Sequence, residues 1–170
     1  MVITFLQRLL WLVALVALQM VLFNHIHLFG YATPLPYVYL LLLFPMNSAR
    51  WGVLLWGFSC GLLCDIVSLT PGIGAGAMTL TALLQPIFLR LFVPKDSAED
   101  LQASFHSLGV APYVRYAALT TLLFTLTYFL LLSFNFFHLK DFCIAFVSSW
   151  LLTYLFCLAF EALRDKRSHG

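Results

Sequence analysis

The chain has 170 residues, 62% of them hydrophobic and only 9% charged, with a mean hydropathy of +0.96. Soluble domains carry about 25% charged residues, so a chain this apolar cannot clothe a water-facing surface and takes the bilayer as its solvent. A formal net charge of +2 is too small to attract nucleic acid, and the length accommodates about six short-looped spans with no separate soluble domain.

The first apolar run, FLQRLLWLVALVALQMVLF, predicts a helix over 5–23. No A-x-A cleavage site follows it, so it reads as a retained span and not as a secretory leader. NHIHLFGYATPLP forms a loop, and its Pro34 and Pro36 suit the start of a second helix over 36–47, which is short for a crossing. A third helix over 51–69 takes Asn47 or Ser48 as its cap. The tight turn Thr70-Pro71-Gly72 leads into a fourth over 72–92, which Pro86 bends by deleting one backbone hydrogen bond.

PKDSAEDLQASFHSLGVAP is the one long polar stretch. Ser97 and Asp100 fit a capping box, and Leu101, Phe105 and Leu108 share a helical face. That pattern predicts a surface helix over 97–108, lying on the membrane. Helices over 113–133 and 142–163 and a basic tail, RDKRSHG, complete an all-α integral membrane protein, a single domain over 1–170.

The second helix decides the topology. If it crosses, one side collects Arg8, Arg50, Arg90, Lys95, Arg115, Arg164, Lys166 and Arg167 and leaves only Lys140 opposite. A dip that returns to the same side separates the charges less well. The positive-inside rule therefore favours a bundle of about six crossings with both termini cytoplasmic; whether the second helix fully crosses stays open, because so short a helix needs local thinning or burial.

Several stretches imitate chemical motifs. GFSCG matches the nucleophile pattern at Ser59, but that pattern acts only on a strained strand-to-helix turn. Inside a span, Gly57 and Gly61 form instead the small-xxx-small spacing of close helix packing. GIGAGA lacks the βαβ unit of a dinucleotide fingerprint. HIH (His25, His27) has the short spacing of a metal pair without a third ligand beside it. The four cysteines fall within apolar runs and read as small packing residues, not as a disulfide or zinc framework. No catalytic residue, metal or cofactor is expected.

Asp65 is the exception, a carboxylate in an apolar helix with no Lys or Arg nearer than Arg50 or Arg90. At about 100° per residue, Gly57, Gly61, Cys64, Asp65 and Ser68 share one face of small residues, which turns the acid into the bundle. Its expected partners are the free N–H groups opening the fourth helix, with the Thr70 hydroxyl. Two compatible roles follow: pinning the helical turn, or meeting a partner or ligand at the outer face. On this basis Asp65→Asn is expected to leave the fold nearly normal.

Taken together, GLLCDIVSLTPGIGAGAMTL, HLFGYATPLPYVYLLLLFP and EDLQASFHSLGVAPYVRYA resemble the MreD rod shape-determining family in its Bacteroides-group form, and the similarity extends over most of the chain. The resemblance implies a non-enzymatic inner-membrane scaffold of the cell-wall elongation machinery. It implies MreC as direct partner and MreB, RodA and its transpeptidase as indirect ones. It also implies a fold like the substrate-binding subunits of energy-coupling vitamin transporters. Asp65, Thr70, Pro71 and Gly72 belong to its most recognisable segment.

The alternative is that the chain is itself such a solute-binding subunit. Those proteins dock their energising partner through AxxxA on the first helix, whereas Ala14 and Ala17 here are differently spaced. Whether a small molecule binds an outer cavity, and whether the chain forms a homodimer, stays open.

Overall fold

The computed structural model describes residues 2–25, 33–93, 103–132 and 139–168. All regular structure among them is helical. Five long helices are α1 (Val2–His25), α3 (Arg50–Ser68), α4 (Ile73–Phe92), α6 (Val110–Leu132) and α7 (Leu139–Ser168). Between them lie α2 (Tyr39–Leu42), preceded by a 3₁₀ turn at Pro36–Val38, and α5 (Phe105–Leu108). Four helical segments, 50–68, 73–92, 110–132 and 142–165, are long and apolar enough to cross a membrane, and α1 adds a shorter apolar stretch, Phe5–Val21. The chain has the character of a multi-pass membrane protein.

Neighbouring long helices pack in the order α1, α3, α4, α6, α7. Each turns a stripe inward at helical spacing and leaves large apolar side chains outward. On α3 the buried stripe is Val53, Gly57, Cys60, Gly61, Cys64 and Asp65, while Trp51, Leu55, Phe58, Leu62 and Ile66 are exposed on the other side. On α6 the buried stripe carries Thr120, Thr121 and Thr125 among aromatics. Their hydroxyls donate to carbonyls one turn back at 2.7–2.9 Å, so these polar side chains enter an apolar interior already satisfied.

The second predicted helix, 36–47, is corrected by the structure. In its place is a 3₁₀ turn followed by a single α-helical turn that ends at Leu42. From Pro34 to Phe44 every residue is buried. A segment that is apolar all round can be surrounded by lipid or by protein, and here it is surrounded by the other helices. Its two prolines lack N–H groups, and side chains from other helices serve the irregular backbone that remains. Thr33 N–H donates to Ser149 Oγ and Leu35 N–H to Thr153 Oγ1, each at 3.0 Å, while Gln19 Nε2 donates to the Pro34 carbonyl at 3.3 Å. Non-helical backbone survives at membrane depth only when buried in protein and satisfied in this way.

The segment also relates the two ends of the bundle. Tyr39 packs edge-on against Trp11 of α1 and, tilted, against Phe160 of α7, so the N-terminal half of α1 and the C-terminal half of α7 meet around it. The Arg8 guanidinium sits 4.5 Å from the Phe44 ring centroid at that same end.

Of the expected surface helix over 97–108, the part before residue 103, with Ser97, Asp100 and Leu101, lies outside the described residues. What is described is the single turn α5. Ser104 caps it, its Oγ accepting from Ser107 N–H while the Ser107 hydroxyl accepts from Ser104 N–H. Phe105 stacks edge-on against Tyr113 at 4.9 Å, and Leu108 is buried. Both therefore pack against protein. Gly109, at φ +85°, separates α5 from α6 in a conformation that favours glycine.

Candidate functional site

The α3–α4 turn is built around one carboxylate. Helix α3 ends at Leu69, the one non-glycine described residue in the left-handed region, at φ 56°. The Leu69 and Thr70 N–H groups both reach back to the Asp65 carbonyl, closing the helix. Gly72, at φ 83°, occupies the N-cap of α4, where it has no side chain to offer the free N–H groups.

Asp65 fills that role from the preceding helix. Its Oδ1 accepts from Gly74 N–H at 2.7 Å and from the Thr70 hydroxyl at 3.2 Å, and its Oδ2 accepts from Ala75 N–H at 2.9 Å. These are the donor groups expected from the sequence. The positive end of α4 and the negative charge of Asp65 complement each other in a site only 4% exposed.

The glycines make this approach possible. A Cβ on Gly61 would sit 2.6 Å from Ala75 Cα and 2.7 Å from the Gly74 carbonyl oxygen, and one on Gly74 would lie 2.6 Å from Asp65 Oδ1. Gly57, one turn below Gly61, is less tightly held, with a hypothetical Cβ 3.2 Å from Ala82 Cβ and 3.3 Å from Leu41 Cδ2. Pro71 and Gly72 are exposed on the turn. The structure thus brings Asp65, Thr70, Gly61 and the start of α4 together and places Gly57 on the same packed face.

The geometry changes the expectation for Asp65→Asn. Both carboxylate oxygens face N–H donors, so an amide keeps one acceptor and turns its NH₂ toward the other donor. Asn is therefore intermediate, not nearly neutral.

A second buried carboxylate, Glu161, was missed. It is 1% exposed. Its Oε2 accepts from the Tyr39 hydroxyl at 2.8 Å, from Arg164 at 3.2 Å and from the Tyr113 hydroxyl at 3.4 Å. The available signal was its place inside the predicted 142–163 span, one turn before Arg164. The expectation of a single buried acid is corrected accordingly. The two carboxylates have separate partners and share no hydrogen-bonding group, so they do not form an acid–base dyad.

Ser59 lies within an unbroken α3, not on the sharp turn that a serine nucleophile requires. The N–H groups of GIGAGA that could cradle an anion are occupied by Asp65. The side chains of His25 and His27 lie outside the described residues. Among the described residues, no three metal-ligating side chains cluster. Cys60, Cys64 and Cys157 are buried, Cys143 is exposed, and all four are free thiols.

Further inside, Gln85 Nε2 donates to the Tyr116 hydroxyl at 3.0 Å and to the Phe44 carbonyl at 3.4 Å. The buried polar groups are thus used mostly to fasten elements to one another. No family model, curated protein or solved structure matches the chain.

Proposed function

We propose that this chain is a non-enzymatic membrane scaffold of the MreD type, working beside MreC in the cell-wall elongation machinery of a bacterial inner membrane. The observation that carries the reading is the filled interior. Residues 34–44 occupy the space between the long helices, with Tyr37, Val38, Tyr39, Leu40, Leu41 and Leu42 each no more than 1% exposed. Small-molecule sites take about 300–1,000 Å³ of concave space, and here the chain's own side chains pack the middle of the bundle. Asp65 and Glu161 are engaged by intramolecular donors. Among the described residues the outward helix faces carry large exposed apolar side chains that a partner can cover, which suits a scaffold better than a solute-binding subunit. Depleting the chain from its host should round the cells while leaving solute uptake normal; cells that keep their shape would overturn the reading.

In this proposal the buried segment is the second of six crossings, and Arg8, Arg50, Arg90 and Arg115 face the cytoplasm with both termini. A cysteine placed at Lys140 should react with a membrane-impermeant maleimide added outside, and one placed at Arg115 should not. Labelling at 115 in intact cells would exclude this topology.

A further inference from the structure

Where the buried segment leaves the bundle, a cleft of about 190 Å³ opens between the start of α3 and the last turns of α4. Its polar lining is Asn47, Ser48, Arg50, Gln85 and Arg90, and its apolar wall includes Leu54 and Leu83. Both arginines are exposed, and no described acidic residue lines the cleft. Ser48 Oγ is buried there without a hydrogen-bond partner, a state that native interiors rarely leave unexplained. The first turn of α3 receives no side-chain cap, so its positive end adds to the same field.

Two further residues place the cleft relative to a bilayer. Trp51, beside Arg50, is 74% exposed, as suits an indole at headgroup level. Leu83, on the cleft wall, is 57% exposed and opens the apolar side toward lipid.

We propose that this cleft binds the phosphate of an anionic lipid headgroup. Arg50 and Arg90 supply the cationic arms, Ser48 Oγ donates a hydrogen bond, and Leu54 and Leu83 take the first methylenes of the acyl chains. Paired guanidinium groups suit a phosphate because each presents a planar fork of donors. A free phosphate ion shares the charge chemistry but would leave the apolar wall unused.

The test uses the full chain purified in neutral detergent, with bound lipid counted by native mass spectrometry. Wild type should retain dioleoyl phosphatidylglycerol over dioleoyl phosphatidylcholine by about tenfold or more, the scale expected when two basic residues each attract an anionic surface. The Arg50→Gln/Arg90→Gln double variant should fall to the phosphatidylcholine level. Arg50→Lys/Arg90→Lys should keep part of the preference, and Arg115→Gln, exposed on α6 outside the cleft, should keep all of it. Equal retention of the two lipids by wild type overturns the proposal, and so does an unchanged preference in the double Gln variant or an equal loss in Arg115→Gln. Displacement of phosphatidylglycerol by low-millimolar inorganic phosphate would overturn the lipid assignment in favour of a soluble anion.

Discussion

Gly61→Leu should leave little folded protein in the membrane, while Ser59→Ala on the same helix leaves the amount unchanged. A Cβ alone at position 61 would stand 2.6–2.8 Å from backbone atoms of Gly74 and Ala75, and backbone cannot rotate away as a side-chain tip can. Helices α3 and α4 would have to separate, and overpacking of this kind costs about 1–3 kcal/mol or more. The same displacement would pull Asp65 from the N–H groups of Gly74 and Ala75, so the two losses would be coupled. Ser59 is only half-buried, and Ala keeps that face small. Quantifying folded protein by fluorescence-detected size exclusion would check the ranking. A harmless Gly61→Leu would mean that α3 and α4 do not pack through this face, and a Ser59→Ala variant that is folded in normal amount but without function would mean that Ser59 acts chemically.

Asp65→Leu should be comparably severe. It would strand the Gly74 and Ala75 N–H groups inside the protein, at about 1–3 kcal/mol for each unsatisfied group. It would also remove the negative charge at the positive end of α4, worth about 0.3–1 kcal/mol at an exposed helix end and more when partly buried. Asp65→Asn should fall between Leu and wild type, since one oxygen remains an acceptor while the amide NH₂ meets a second donor. Thermal unfolding in detergent should therefore rank wild type above Asn and Asn above Leu. A Leu variant as stable as wild type would mean that Asp65 does not cap α4. An Asn variant that is folded at normal levels but fails to support cell shape would show that the charge serves a partner or ligand.

The neighbourhood of Asp65 was legible because the options were few. A carboxylate in an apolar helix needs donors, and no basic side chain stood within reach along the chain. The Thr70-Pro71-Gly72 turn necessarily brings the open N–H groups of the next helix beside it. Gly57 and Gly61 marked the packed face by spacing alone.

Glu161 was harder to read because it stands near the basic tail, where an acid is unremarkable. Its burial depends on Tyr39 and Tyr113, which are distant in sequence and are brought to it only by tertiary packing. The segment 34–44 is apolar on every side, and such a run carries no periodicity to distinguish a helix facing lipid from a turn-rich strand of chain threaded through the interior. The cap of α5 was obscured for another reason. Ser97 and Asp100 match the capping-box pattern, whereas Ser104 and Ser107 form the reciprocal pair with a serine at the position where the pattern expects Glu or Gln.

The role proposed for the chain is to hold partners together through its outward faces, and the most direct test is which chains travel with it. The tagged full-length protein, extracted from its host's membranes in mild detergent, should co-purify MreC in near-equal amount, with RodA and its transpeptidase in smaller amounts. Recovery of a transporter's energising ATPase subunits in place of MreC would contradict the scaffold and support the solute-binding alternative.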